Sequence, residues 1–332
     1  MAEAHGAAGP TALAGGEREF TAAVERHRHE LHVHCYRMMG SYADAEDLVQ
    51  ETFLRAWRGR DGFEGRASFR AWLYRIATNA CLDALEHTSR RVAPLPVAGD
   101  PLAESAWLQP YPDDLLDPVV PPHEEPDATV VARETIELTF LAAIQHLSPR
   151  QRAVVIVRDL LGWPAAETAA LLDVSVASAN SLLQRGRSAL QAHHPAGQRA
   201  VAPNRVSAEE HAVLQRYVDA HERADAEAVV AMLGPDVRVT MPPEPPAIGG
   251  EASAAFFREL LGPGGPGRWR LVPVRANRQP AAAGYLCRPG DTAFRALSID
   301  VLRVDAGRLV EVNCFLDASL FSLFGLPDVL DR

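Results

Sequence analysis

The chain has 332 residues, too many for one compact domain at roughly 150 residues each, and its 47% apolar share lets each domain bury a core. A formal charge of -10 excludes a surface that is basic throughout, though not a local basic patch. No stretch approaches the ~18 to 20 consecutive apolar residues of a membrane-spanning helix, and the start lacks a basic segment followed by an apolar one, so no membrane partner and a cytoplasmic location are expected. Cys35, Cys81, Cys287 and Cys314 lie far apart and form no CxxC, which predicts buried free thiols in place of a disulfide framework or zinc knuckle.

Composition divides the chain. Residues 1–16, rich in Ala and Gly, read as a disordered tail, followed by a helical block over 17–91. Between Val92 and Asp127 stand nine prolines and eight Asp or Glu, with no Arg. Proline removes backbone donors and like charges repel, so 92–128 reads as an extended, solvated linker. A second helical block covers 129–194, a short linker 195–205, and a block of different character 206–332. The expected architecture is multidomain: two all-α helical domains, each packed by itself on either side of the acidic Pro-rich linker, then a C-terminal α+β domain.

In the first block, Phe20, Val24, Leu31, Cys35 and Met38 keep a near-3.6 spacing, as do Leu48, Phe53, Ala56 and Trp57. Ser41 caps the second of these helices, with Asp44, Glu46 and Asp47 near its positive end. A third helix, Phe69 to about Thr88, carries Trp72, Leu73, Ile76, Ala80 and Leu85 on one side. Asp44, Asp47 and Glu51 are three and four apart, making an acidic stripe with Gln50 beside it; by itself such a stripe reads as a solvated face. Residues 66 to 91 hold five Arg against Asp83 and Glu86, together with Phe69, Trp72 and Tyr74. Cations beside aromatic rings suit unstacked single-stranded DNA, although Trp72 lies on the apolar stripe and reads as core.

In the second block, Leu147-Ser148-Pro149-Arg150-Gln151-Arg152 marks a capped helix start, with Ala153, Val154, Ile156 and Val157 behind it. Ala165 to Leu172, then Asp173-Val174-Ser175, then Val176 to Leu190 have the spacing of a helix-turn-helix. Asp173 takes the position that prefers positive φ, and Ser175 the N-cap of the second helix. With Val176, Ala179, Leu183 and Leu190 inward, Ala177, Ser178, Ser181, Gln184, Arg185 and Ser188 point outward. Small polar residues with Gln and Arg suit a helix lying in a major groove.

Together these motifs resemble the extracytoplasmic-function (ECF) group of sigma-70 factors, the dissociable promoter-recognition subunits of bacterial RNA polymerase. DAEDLVQETF (44–53) is similar to the family's core-binding helix, FRAWLYRIATN (69–79) with Asp83 to its minus-ten helix, and the second block to its minus-thirty-five reader. The resemblance implies RNA polymerase core enzyme and promoter DNA as partners. It implies core contacts at Asp44, Asp47, Gln50 and Glu51. Minus-ten contacts fall to Arg70, Arg75, Asn79, Arg90 and Arg91, with Asn79 near a flipped base. Minus-thirty-five contacts fall to Ser175, Ala177, Ser178, Ser181, Gln184 and Arg185.

The third block has helical stretches at Ala208 to Met232 and Glu251 to Leu261. Runs at Val237 to Met241, Trp269 to Arg275, Ala282 to Cys287, Phe294 to Val304 and Leu309 to Phe315 read as strands, the last two forming a hairpin across a VDAG turn. The ending FLDASLF (315–321) followed by FGLP (324–327) resembles the tails of sigma factors that carry a SnoaL-like domain. This implies a cone of curved sheet around helices, with an apolar pocket for a small-molecule ligand. His211, His221, Asp300 and Asp317 could serve catalysis, but no spacing forces two of them together, so no catalytic residue is assigned. MPPEPP (241–246) reads as a rigid extended segment. His27, His29, His32 and His34 include no i,i+4 pair and read as surface or core residues rather than metal ligands. No cofactor or metal is expected.

The leading function is therefore a sigma factor directing promoter-specific initiation, with a fused domain that regulates it and is not an enzyme. The alternatives are a SnoaL-like enzyme or ligand sensor targeted by the helical part, and an operator-binding regulator. The core-binding and basic aromatic helices speak against the operator reading.

Overall fold

The computed structural model describes residues 16–65, 67–88, 108–116, 136–193, 207–242 and 244–331. The chain forms two compact units: Met1–Pro94 with Phe140–Gln198, and Leu95–Thr139 with Arg199–Arg332. The two helical blocks therefore do not stand apart on a tether. They share one unit, because each presents buried surface to the other.

In this helical unit, α1 (Glu17–Glu25) and α2 (Arg28–Met39) divide what the apolar spacing suggests is one helix, and α2 ends at Gly40 with φ of 75°. Only glycine adopts that left-handed C-cap without strain. Ser41 Oγ accepts from the Asp44 amide at 3.1 Å, opening α3 (Tyr42–Gly59). The basic helix follows as α4 (Phe69–Thr88). A single turn, α5 (Asp113–Leu116), belongs to the other unit.

The second block begins with α6 (Leu138–Gln145), then α7 (Pro149–Val155), which runs into a π-helical turn at Ile156–Leu160. Gln151 Oε1 accepts from the Ser148 amide at 3.2 Å, the reciprocal half of a capping box. The helix-turn-helix is α8 (Ala165–Leu171) and α9 (Val176–His193). A Cβ at Gly186 would lie 2.8 Å from Val155 Cγ2, so this mid-helix glycine is what lets α9 cross close to α7.

The second unit holds α10 (Ala208–Glu222), α11 (Ala226–Val230), β1 (Leu233–Met241), β2 (Glu244–Ile248), α12 (Gly250–Leu261), β3 (Arg268–Ala276), β4 (Gln279–Cys287), β5 (Phe294–Asp305), β6 (Arg308–Phe315), α13 (Leu320–Leu323) and β7 (Val329–Leu330). Ala224, at φ 53°, breaks what reads in the sequence as one long helix. Of MPPEPP, Met241 ends β1 and Glu244, Pro245 and Pro246 open the edge strand β2, where proline's missing donor is harmless. Sheet order is β2-β1-β6-β5-β4-β3, antiparallel except for β1 on β6, with β7 on β5. Ala306 and Gly307, both at positive φ, make the tight β5–β6 turn. Val213, Tyr217 and Val218 of α10 and Phe257 of α12 pack on Leu271, Leu286, Leu302 and Val312 of the sheet. Every residue of β4 is buried, which explains its unbroken apolar run without polar alternation.

Candidate functional site

On α3, Ala45, Leu48, Val49 and Thr52 turn inward while Asp44, Asp47 and Gln50 are exposed. Glu51 is half-buried: it accepts from Arg55 Nε at 2.7 Å, and Arg55 Nη1 reaches Asp83 of α4 at 2.7 Å. Leu54 is 51% exposed one turn beyond Gln50. Sequence reasoning did not single it out; it stands as an exposed apolar side chain beside the acidic stripe.

On α4, Arg75 and Asn79 are exposed and one turn apart. Arg70 is committed elsewhere: its Nε donates to Glu30 at 2.7 Å and its guanidinium lies 4.9 Å from the centre of the Tyr74 ring. Arg66, Arg90 and Arg91 lie outside the described residues. The aromatic platform expected here is not at the surface. Phe69, Trp72 and Tyr74 are all buried, with Phe69 and Trp72 packed on Phe63. Their apolar area is worth more in the core than over DNA.

The helix-turn-helix follows its sequence signals closely. Asp173 has φ of 53°, Val174 N–H donates to Ala169 O at 3.0 Å, and Ser175 Oγ accepts from the Ser178 amide at 3.1 Å. Ser175, Ala177, Ser178, Ser181, Gln184 and Arg185 all lie exposed, backed by buried Ala179 and Leu183. Val176, placed inward by the spacing, is 44% exposed. In the first turn of a helix a side chain leans back over the entry, which leaves this one partly open to solvent. A hollow of about 440 Å³ borders this face, lined in part by Arg158, Asn180, Gln184 and Arg187. Arg187 is held by Asp159 at 2.5 and 2.9 Å.

The histidines disperse to different partners. His27 Nδ1 meets Glu30 at 2.5 Å, His34 Nε2 meets Thr78 Oγ1 at 3.0 Å, and the His32 ring lies tilted against that of Tyr42, centroids 4.5 Å apart. Burial pushes the His34 pKa down to about 3 and that of His32 to about 4, so both are neutral.

In the second unit, Tyr217 joins two of the four residues considered for catalysis. Its hydroxyl donates to Asp300 Oδ2 at 3.1 Å, and His221 packs on its ring with centroids 4.1 Å apart. Asp300 is fully buried, which raises its pKa by disfavouring the anion. Burial lowers His221 to about 4. His211 is exposed, and Asp317 caps its own turn through the Ser319 amide at 2.9 Å.

The feature least visible in the sequence is a clamp on the β3–β4 turn. Asn277 and Arg278 sit at φ of 55° and 61°, the pattern of a two-residue hairpin turn. Asn277 Oδ1 accepts from Tyr111 N–H at 2.8 Å, its Nδ2 donates to Ile136 O at 2.7 Å, and its amide donates to Tyr111 O at 2.9 Å. Asp113 accepts from the Arg278 amide at 2.8 Å and pairs with Arg275 at 2.9 Å. Gln279 Oε1 accepts from Leu138 N–H at 3.2 Å. The acidic connector, expected to be solvated, is thus pinned at 108–116 by buried Leu108, Tyr111, Asp113 and Leu116.

Comparison with known proteins agrees with this geometry. Residues 23–91 match the model for sigma-70 region 2, residues 137–190 that for sigma-70 region 4, and residues 214–312 that for the SnoaL-like domain. The chain is similar to the ECF RNA polymerase sigma factor SigG of Mycobacterium tuberculosis, 44% identical over 94% of this chain and 85% of that protein. It is also similar to SigJ of the same organism, 30% identical over 80% of each. The crystal structure of Mycobacterium tuberculosis SigJ shares the fold, with a TM-score of 0.60, 24% identity, and coverage of 92% of this chain and all of that one. No helix among the described residues is long and apolar enough to cross a membrane. The chain belongs to the ECF RNA polymerase sigma factors and carries a SnoaL-like domain fused after region 4.

Proposed function

We propose that α3 is the polymerase face, that Arg75 and Asn79 of α4 meet the minus-ten element, and that α9 reads the minus-thirty-five element. The carrying observation is that each helix buries an apolar back and exposes the polar set suited to its partner. Sigma factors supply no chemistry of their own. Binding energy opens the promoter, because capture of an exposed base and phosphates offsets unstacking of a few kcal/mol. The core enzyme and promoter DNA are the partners, and Arg70 serves mainly to tie α4 to α2.

The C-terminal domain acts in this reading as a regulator and not as an enzyme. What supports this is the Asn277 clamp, which fastens the connector at two places, on either side of residues 117–135. A domain that holds the chain between regions 2 and 4 controls how freely they engage polymerase. Run-off transcription with core enzyme tests both parts. Asp47→Ala with Glu51→Ala, and Arg185→Ala, should each abolish most promoter-dependent product. Deleting 205–332 should change the dependence on core concentration; an unaltered curve would remove the regulatory part alone.

A further inference from the structure

Within the helical unit a buried arginine of region 4 reaches into region 2. Arg152 of α7 is 4% exposed. Its Nε donates to Ile144 O at 3.0 Å, its Nη1 to Gln145 Oε1 at 2.5 Å, and its Nη2 to Gln145 O at 2.7 Å and Leu147 O at 3.4 Å. All of these close the C-terminal end of α6. Nη1 also donates to Met38 O, in the last turn of α2, across the seam. Gln145 Nε2 reaches Arg37 O at 3.5 Å, and Trp163 packs against Tyr74 with centroids 5.3 Å apart.

Among the described residues, no carboxylate accepts from Arg152. Its counter-charge is the pair of helix C-termini it touches, each carrying about half a negative charge, one from region 4 and one from region 2. Separating the regions removes one of the two but lets water reach the guanidinium, so rehydration offsets part of what opening loses. Burial lowers the Arg152 pKa to about 10, because desolvation disfavours the charged guanidinium.

The closed unit is too small for both promoter elements. About 150 residues pack with a radius of gyration of about 15 Å, a body roughly 40 Å across. Elements about 25 base pairs apart lie about 85 Å apart along the duplex. Regions 2 and 4 must part before both can be occupied.

We propose that Arg152 is a reversible latch that holds the free protein closed, so that its release is a step in engaging polymerase and promoter. The proposal rests on α3 and α9 being the polymerase and promoter faces, and it does not require the Asn277 clamp.

The test uses the full-length protein and three seam variants: Arg152→Lys, which keeps the charge but loses the fork, Gln145→Ala and Trp163→Leu. Small-angle scattering of the free protein should show a larger radius of gyration, and affinity for core polymerase should rise about tenfold, the scale of one charged hydrogen bond. Should Arg152→Lys lose helical signal because the end of α6 is uncapped, the other two variants carry the test. Variants with native circular dichroism but an unchanged radius and unchanged or weaker core affinity overturn the latch. An Asp47→Ala control that keeps full core affinity would instead refute the polymerase face, while the scattering result would still judge the latch.

Discussion

Asn277 and Tyr111 exchange two hydrogen bonds: the Tyr111 amide donates to the Asn277 carboxamide at 2.8 Å and the Asn277 amide donates back to the Tyr111 carbonyl at 2.9 Å. Asn is also the residue that best tolerates the left-handed conformation required there. Asn277→Ala therefore loses side-chain bonds to both connector segments and adds backbone strain. It should destabilise the second unit by about 2 to 4 kcal/mol. Limited proteolysis should then cut near 108–116, and protection equal to the native protein would show that the segment is held by other means.

Leu54 and Asp47 share the exposed side of α3. Leu54→Ala and Asp47→Ala should each weaken core binding by about ten- to a hundredfold, the range of an interface hot spot, with no change in melting temperature. Titration of labelled protein with core enzyme measures this directly. Equal affinities would move the polymerase surface off α3.

Arg185 and Gln184 lie one after the other on the exposed face of α9. Gln184→Ala should relax base preference at one position of the minus-thirty-five element by about 1 to 3 kcal/mol. Arg185→Ala should do the same if it reads a base, or weaken all sequences alike and flatten the salt dependence if it holds a phosphate. Binding to a set of singly substituted duplexes at two salt concentrations separates these outcomes; no effect from either change would exclude α9 as the reader.

Burial of Asp300 predicts a pH-dependent stability of the second unit. Because its folded pKa is raised by burial, the unfolded chain gives up this proton first, and the contribution to stability is lost as pH rises from about 4 through the folded value. Asp300→Asn removes that loss while keeping an acceptor for Tyr217. The melting temperature of the variant relative to the native protein should therefore climb between pH 4 and 8; a difference independent of pH would mean that Asp300 is not the titrating group. His221 works in the opposite direction. Its pKa, lowered to about 4, means stability falls as pH drops below about 6.5, and His221→Gln should reduce that acid sensitivity.

What was legible in the sequence was local. Ser41, Ser148, Ser175 and Asp173 announce their caps and turns because each acts on an amide or a φ within three residues. The strands of the C-terminal domain show through their apolar runs, and the β5–β6 turn through its VDAG. The clamp was not legible, since Asn277 and Tyr111 stand 166 positions apart and a hydrogen bond between loops leaves no periodic trace. Arg152 looks like one more basic residue at a helix start; nothing nearby in the chain says that its partners include a carbonyl 114 residues away. The connector misled through its average, since Leu108, Tyr111 and Leu116 bury themselves within a stretch that is otherwise acid and proline.

Asp113 and Ile136 both rest on the tip of one hairpin, so two points of the connector 23 positions apart in the chain are held at one place. The expectation is that residues between the two points add nothing to the reach from the end of α4 to region 4, and that the stretch ahead of Tyr111 sets it. Insertions after residue 116 should be tolerated silently, whereas shortening the stretch before Tyr111 by even a few residues would restrict how far the two promoter-reading regions can travel apart.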